Sequence, residues 1–375
     1  MNYLIYCPRI AGHRLEYIHH LYLGAIKRKN KNYVIVVPRE FDLIKNKFKW
    51  PLANNITFCY IEKEIIQSFK CNFILSELRK CKHLQNVIKV YKPEEVIVLD
   101  MIEYVPFLPL FVSSKVKVSG IIYRIFLYEY KEEGIIKRFL DVFKYKWMSA
   151  FPVYDRIFIL NDIKSAAEIN TRFSSSKYLY LPDPVVPIEK IDEFDFRDEY
   201  KIPKDNVILL HPGGMLPYKG TIEILKALNL LDGKSLNNIT IIFAGRVTES
   251  IKEEFDALCN CIKTKVQLIV EEGFLPYERL GALIKQCDWL LIPYKTKSQS
   301  SGIVGHAAYF EKPVIAVKGG VIGNIVSTHK LGVLIDSPTP ECIKDAILSI
   351  PDKITCKNNY CKVNTIENFN NIILK

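Results

Sequence analysis

Short apolar runs of four to seven residues recur along this chain, each followed by a loop carrying glycine, proline or serine and then by a longer stretch in which apolar positions repeat every three to four residues. Runs of that length, rich in Val and Ile and apolar on both faces, predict buried parallel strands, and the stretches between them predict the crossover helices. In the first half, strands are expected over 3–7, 33–38, 56–61, 95–100, 116–123, 155–160 and 177–181, with helices over 15–27, 71–91 and 129–147. Pro182-Asp-Pro184 then breaks the pattern, and the charged stretch 189–205 has no long apolar run, so the connection between domains is placed near 183–205.

The second half restarts the alternation. Strands are expected over 207–211, 238–244, 266–270, 289–293 and 314–317, and helices over 221–231, 249–263, 277–286 and 303–310, the first of these with Thr221 available as its cap. The fold class is therefore α/β, two Rossmann-like halves facing across a cleft: residues 1–184, then 185–357, with a final helix over about 358–375 packing back on the first. The 129–147 helix, rich in Lys, Arg, Phe and Tyr, reads first as a surface helix with an apolar inner stripe and second as a membrane-facing or acceptor-side element.

Composition narrows the class. With 375 residues, 49% of them apolar, the chain can bury a large core. Its net charge of +11 suits an anionic bilayer or phosphate-bearing ligands, and serves solubility as well. No helix-turn-helix, RNA-recognition or zinc-finger spacing points to nucleic acid. The ten cysteines make no metal-ligand pairs, so free thiols in a reducing cytoplasm and no metal are expected. The first residues read as a core strand and not a secretion signal, and no stretch has about 18 uninterrupted apolar residues. A cytoplasmic protein, or one held peripherally on the inner membrane face, follows.

The candidate chemistry gathers at strand ends. After the 289–293 strand, small residues lead into a short apolar helix, so that Ser300, Ser301, Gly302 and Ile303 present unpaired backbone amides at a helix start, a site for an anion. Gly213, Gly214 and Lys219 lie in the loop before the 221–231 helix, and Arg246 and Phe274 follow the next two strands. In the first half, Gly12-His13-Arg14 opens the first helix, and Asp100 and Glu103 sit at a strand end where a carboxylate can bind or deprotonate a hydroxyl. Glu253-Glu254 and Glu271-Glu272 are adjacent acids, not a pair spaced across a pocket, and no Gly-x-Ser-x-Gly elbow is present, so hydrolase readings lack support.

The ordered segments Gly213…Lys219-Gly220, Ile241-Ile-Phe-Ala-Gly245, Gly273-Phe-Leu-Pro-Tyr-Glu278…Cys287-Asp-Trp-Leu-Leu-Ile-Pro293, Gly302…Lys312-Pro-Val-Ile-Ala316…Gly320 and Gly332-Val-Leu-Ile335 resemble the nucleotide-sugar domain of GT-B glycosyltransferases, most nearly the retaining enzymes of family four. In the first half the likeness rests on Gly12, the strand ending at Asp100, and Leu181-Pro-Asp-Pro-Val185. The resemblance implies a UDP- or GDP-linked sugar donor as co-substrate, no other cofactor, and a glycan or lipid-linked acceptor in surface polysaccharide or glycolipid synthesis. It implies that Lys219 neutralises the departing diphosphate, that the amides of Ser301, Gly302 and Ile303 hold its distal phosphate, that Gly12, His13 and Arg14 face the donor phosphates, and that Phe274 lies by the nucleobase. Where the family has two glutamates, this chain has Ser298 and His306, and the family's arginine aligns with Gly213 or Gly214; Arg246, or Arg9 and Arg14, are the substitutes available. Tyr123-Arg124 falls where relatives carry a histidine near the sugar. A non-catalytic GT-B protein that binds a nucleotide or glycan as a partner subunit is the alternative, and a sugar-nucleotide epimerase a third.

Overall fold

The computed structural model describes residues 2–10, 12–128, 134–189, 191–351 and 356–375. They form two compact units, Met1–Pro182 with Ile366–Lys375, and Asp183–Thr365. The first five residues of the predicted 129–147 helix, 129–133, lie outside the described residues.

The first unit is a seven-stranded parallel sheet of β1 (Asn2–Tyr6), β2 (Asn32–Pro38), β3 (Ile56–Ile61), β4 (Glu95–Val98), β5 (Lys117–Ile122), β6 (Tyr154–Leu160) and β7 (Tyr178–Leu181), in the order β3-β2-β1-β4-β5-β6-β7. Its central strands are buried on both faces, which is why they read as unbroken apolar runs. Helix Arg14–Ile26 packs on one face through Leu15, Ile18, Leu21 and Ala25.

The tail divides differently from the single predicted helix. Tyr360–Val363 is a turn of helix in the second unit, and only Ile366–Ile373 belongs to the first, the chain breaking near Asn364. There Phe369, Ile373 and Leu374 are fully buried, at about 1.5–3 kcal/mol each. Asn370 donates to the His20 carbonyl (2.8 Å), and Arg156 donates to the Ile372 carbonyl (2.7 Å) while pairing with Glu95.

Helix Ile135–Ala150 departs from the first reading of its pattern. Tyr145 and Met148 are its buried residues, whereas Ile135, Ile136 and Phe139 are 80%, 78% and 69% exposed and Leu140 is exposed too. The apolar stripe points out, and the inner side is held by Tyr145, whose ring meets those of Phe126 and Tyr178, and by Met148.

The second unit is a six-stranded parallel sheet of β8 (Val207–Pro212), β9 (Ile239–Gly245), β10 (Gln267–Glu272), β11 (Trp289–Ile292), β12 (Val314–Val317) and β13 (Gly332–Ile335), ordered β10-β9-β8-β11-β12-β13. The charged stretch read as a connection is part of this unit. Phe196 is fully buried, its N–H bonds the Gln286 side chain (2.8 Å), and the Arg279 guanidinium lies 4.8 Å from its ring centre.

Candidate active site

The strand order of the second sheet reverses between β8 and β11, the point at which open α/β sheets hold their ligands, beyond the carboxyl ends of the strands. Here the two loops are locked together. Gly220 sits at φ +76°, and a side chain there would meet the Pro293 carbonyl oxygen at 2.4 Å, so the backbone of the first loop lies flat against the end of β11. Lys295 N–H donates to the Tyr218 carbonyl (2.9 Å), and the Lys295 ammonium meets Glu223 at 2.6 Å.

Lys219, one residue before Gly220, is thereby fixed in place. Its ammonium stands 3.9 Å from the centre of the Tyr294 ring, a cation–π contact that holds the charge without neutralising it. The Tyr294 side chain is buried, and its hydroxyl has no hydrogen-bond partner among the described residues. Beyond Pro293 and Tyr294 the chain reaches Ser300, Ser301 and Gly302, and helix Gly302–Tyr309 begins with Ser301 as its extended cap residue and no side-chain capping bond. Lys219 and the helix start of Ser301, Gly302 and Ile303 thus follow two neighbouring strands, β8 and β11. Ser300 Oγ donates to Asp183 at 3.5 Å.

A residue the sequence reading passed over organises this edge. His211, on β8, is fully buried; its Nδ1 lies 2.7 Å from the Leu291 carbonyl and its Nε2 2.9 Å from Thr221 Oγ. Since a carbonyl can only accept, Nδ1 carries the proton and Thr221 donates to Nε2. Burial lowers this imidazole to about 4, the Leu291 bond opposing and the Lys219 charge adding, so it is neutral at physiological pH. Thr221 is consequently not the helix cap: Gly220 occupies that position, and the hydroxyl is committed to His211. A buried His two residues before a glycine loop was the available signal.

The remaining positions distribute around the same sheet edge. Gly213 N–H bonds the Ala244 carbonyl (2.8 Å) and Met215 N–H the Arg246 carbonyl (2.8 Å), joining the loops after β8 and β9; Gly214 and Arg246 are exposed beside that join. Phe274 follows edge strand β10 and is 87% exposed. His306 is half-buried, with Tyr277 edge-on at 6.3 Å. Ser298, at the position of the expected sugar-side acid, is fully buried.

In the first unit, Gly12 (φ +67°) and His13 lead into helix Arg14–Ile26, and His13 Nδ1 lies 3.3 Å from Glu16. Arg14 pairs with Asp100 at 2.5 Å, across from β1 to β4, and its guanidinium stands 5.3 Å from the Tyr123 ring centre. Burial, then the charge of Glu103, pushes the Asp100 carboxyl above its ordinary value, with Arg14 pulling the other way. Glu103 is itself held by Lys80 at 3.0 Å. Among the described residues no group of three His, Cys, Asp or Glu side chains is arranged to hold a metal ion.

Residues 192–359 match the family described as glycosyl transferases group 1. An uncharacterized glycosyltransferase of Methanocaldococcus jannaschii is 26% identical over 142 residues, 38% of this chain and 37% of that protein, so the chain matches little more than a third of that relative's length. Among solved structures, WaaG, a glycosyltransferase involved in lipopolysaccharide biosynthesis, is similar over 100% of this chain and 99% of its own, with TM-score 0.66 and 13% identity. HepE of Anabaena, solved with UDP and glucose, is similar over 100% and 98%, with TM-score 0.66 and 12% identity. A UDP-forming trehalose-phosphate synthase from Burkholderia xenovorans covers 99% of each chain at TM-score 0.68 and 11% identity. The family match spans the loops that carry Lys219 and Gly302, and the two Rossmann-like units of seven and six parallel strands give the chain the GT-B fold.

Proposed function

We propose that this protein transfers a sugar from a UDP- or GDP-linked donor to a glycan or lipid-linked acceptor in the synthesis of a surface polysaccharide or glycolipid, with retention at the anomeric carbon and without a metal ion. The observation that supports the reading is the lock at Gly220 and Pro293, beside which the Lys219 ammonium lies over the Tyr294 ring, on the loop that runs on to helix Gly302–Tyr309. When the bond from sugar to diphosphate breaks, negative charge grows on the leaving oxygen. A fixed ammonium and oriented backbone amides stabilise that charge at no reorganisation cost. Gly213, Gly214 and Ser300 let the phosphates approach the backbone, Arg246 adds positive charge, His306 bonds the ribose, and Phe274 covers the base. The first unit takes the acceptor, whose hydroxyl Asp100 orients, with Arg14 and His13 toward the phosphates beside Gly12. The protein works at a membrane surface, as a lipid-linked acceptor requires.

Incubating the purified chain with a panel of UDP- and GDP-sugars and measuring nucleotide release tests this reading. Release from at least one donor supports transfer. Binding of a nucleotide with no release from any donor supports the non-catalytic reading, which the buried Ser298 in place of a carboxylate favours.

A further inference from the structure

We infer that the outward stripe of helix Ile135–Ala150, together with the start of helix Phe73–Tyr91, is the surface by which the protein lies on an anionic lipid bilayer. The inference rests on the membrane reading proposed above and names the side chains that carry it. Ile135, Ile136, Phe139, Leu140 and Phe143 follow one another at i, i+1, i+4, i+5 and i+8, which places them on one side of the helix, opposite the buried Tyr145 and Met148. The stripe continues onto the second helix. Lys144, one turn beyond Leu140, bonds the buried Glu77 at 3.1 Å and stands 4.4 Å from the ring centre of Phe73, which is 63% exposed beside the equally open Ile74.

So much apolar surface facing water in one patch marks a docking face. Its charge selects the occupant. Across 135–150 the basic residues Lys137, Arg138 and Lys146, with Lys144 already paired to Glu77, stand against the single acid Asp141. A second copy docking by two-fold symmetry would set these cations against themselves, whereas anionic headgroups would meet them while the apolar row enters the acyl boundary. No helix among the described residues is long and apolar enough to cross a membrane, so the patch would lie on the bilayer and not span it.

The test is flotation of the full chain with vesicles of neutral phosphatidylcholine or of phosphatidylcholine with phosphatidylglycerol, using the wild type, Ile136→Ser/Phe139→Ser and Lys137→Glu/Lys146→Glu. The substituted residues are exposed, so the variants keep the wild-type unfolding midpoint. Expected are preferential binding to the anionic vesicles, weakened by salt, and at least a tenfold loss in both variants. Equal binding to both vesicle types, wild-type binding by both variants, or a solution dimer that Ile136→Ser/Phe139→Ser converts to monomer would overturn the inference. Nucleotide release measured in parallel separates the two readings: loss of vesicle binding in the variants without release from any donor leaves this surface standing and removes sugar transfer.

Discussion

Replacing Gly220 by alanine probes the lock between the two loops most directly. The new methyl would lie 2.4 Å from the Pro293 carbonyl oxygen and 3.0 Å from its ring, with the backbone at φ +76°. A left-handed conformation costs an alanine about 1–2 kcal/mol. The contact adds more, since the obstructing atom is backbone at the end of a buried strand and has to move by roughly 1 Å; overpacking on this scale costs about 1–3 kcal/mol. Gly213 supplies the control, for it holds φ +90° yet a side chain there meets nothing within 4 Å, so Gly213→Ala carries the backbone cost alone. Hydrogen exchange at the β8 and β11 amides reads the second unit by itself, and there Gly220→Ala is expected to lower protection by about 2–5 kcal/mol against about 1–2 kcal/mol for Gly213→Ala. Displacing the loop also shifts Lys219 off Tyr294, so calorimetric affinity for UDP and GDP should fall at least tenfold in Gly220→Ala. Equal protection in the two variants, with nucleotide affinity unchanged in Gly220→Ala, would refute the claim that the Pro293 contact positions Lys219.

Three further outcomes are expected. Lys219→Ala should reduce turnover by about 10²–10³-fold with an unchanged circular dichroism spectrum, and unaltered turnover would remove this lysine from catalysis. Burial raises Glu77 from 4.5 to about 7, Lys144 pulling it back, so between those values the folded chain keeps a proton that the unfolded chain gives up. Stability should therefore fall as pH rises through that window, by up to about 3 kcal/mol, and Glu77→Gln should flatten the slope; parallel pH–stability curves for wild type and variant would show the assignment wrong. Finally, Arg14→Ala and Asp100→Asn should be non-additive in unfolding free energy by about 1–2 kcal/mol, because each leaves the other's partly buried charge unpaired, and strict additivity would mean the pair contributes nothing.

The sheets were legible because a parallel strand buried on both faces leaves a run such as Trp289–Ile292 or Val314–Val317 that little else produces. The glycine loops were legible for a similar reason, Gly213 and Gly220 standing where the backbone turns left-handed. Elements held by packing against distant partners were harder to read. Helix Ile163–Phe173 carries a plain signal, Asp162 accepting from the N–H groups of Lys164 and Ser165, but it is short and polar, with few apolar positions to mark it in the sequence. The orientation of helix Ile135–Ala150 could not be read from its period, since periodicity gives a stripe and not the side on which the sheet lies. The 189–205 stretch reads as a connection because its acids outnumber its apolar residues, while Phe196 and Ile202 anchor it in the core. At the site, Thr221 was assigned by rule to its nearest unpaired amides, and only the fold shows that His211 claims its hydroxyl first.

The final ten residues complete the first unit's core although nearly two hundred residues separate them from the rest of it. During synthesis, the domain that emerges first from the ribosome must therefore wait, with the groove for Phe369 and Ile373 open, until its successor has been made. Anyone expressing that domain alone would need to graft residues 366–375 onto it.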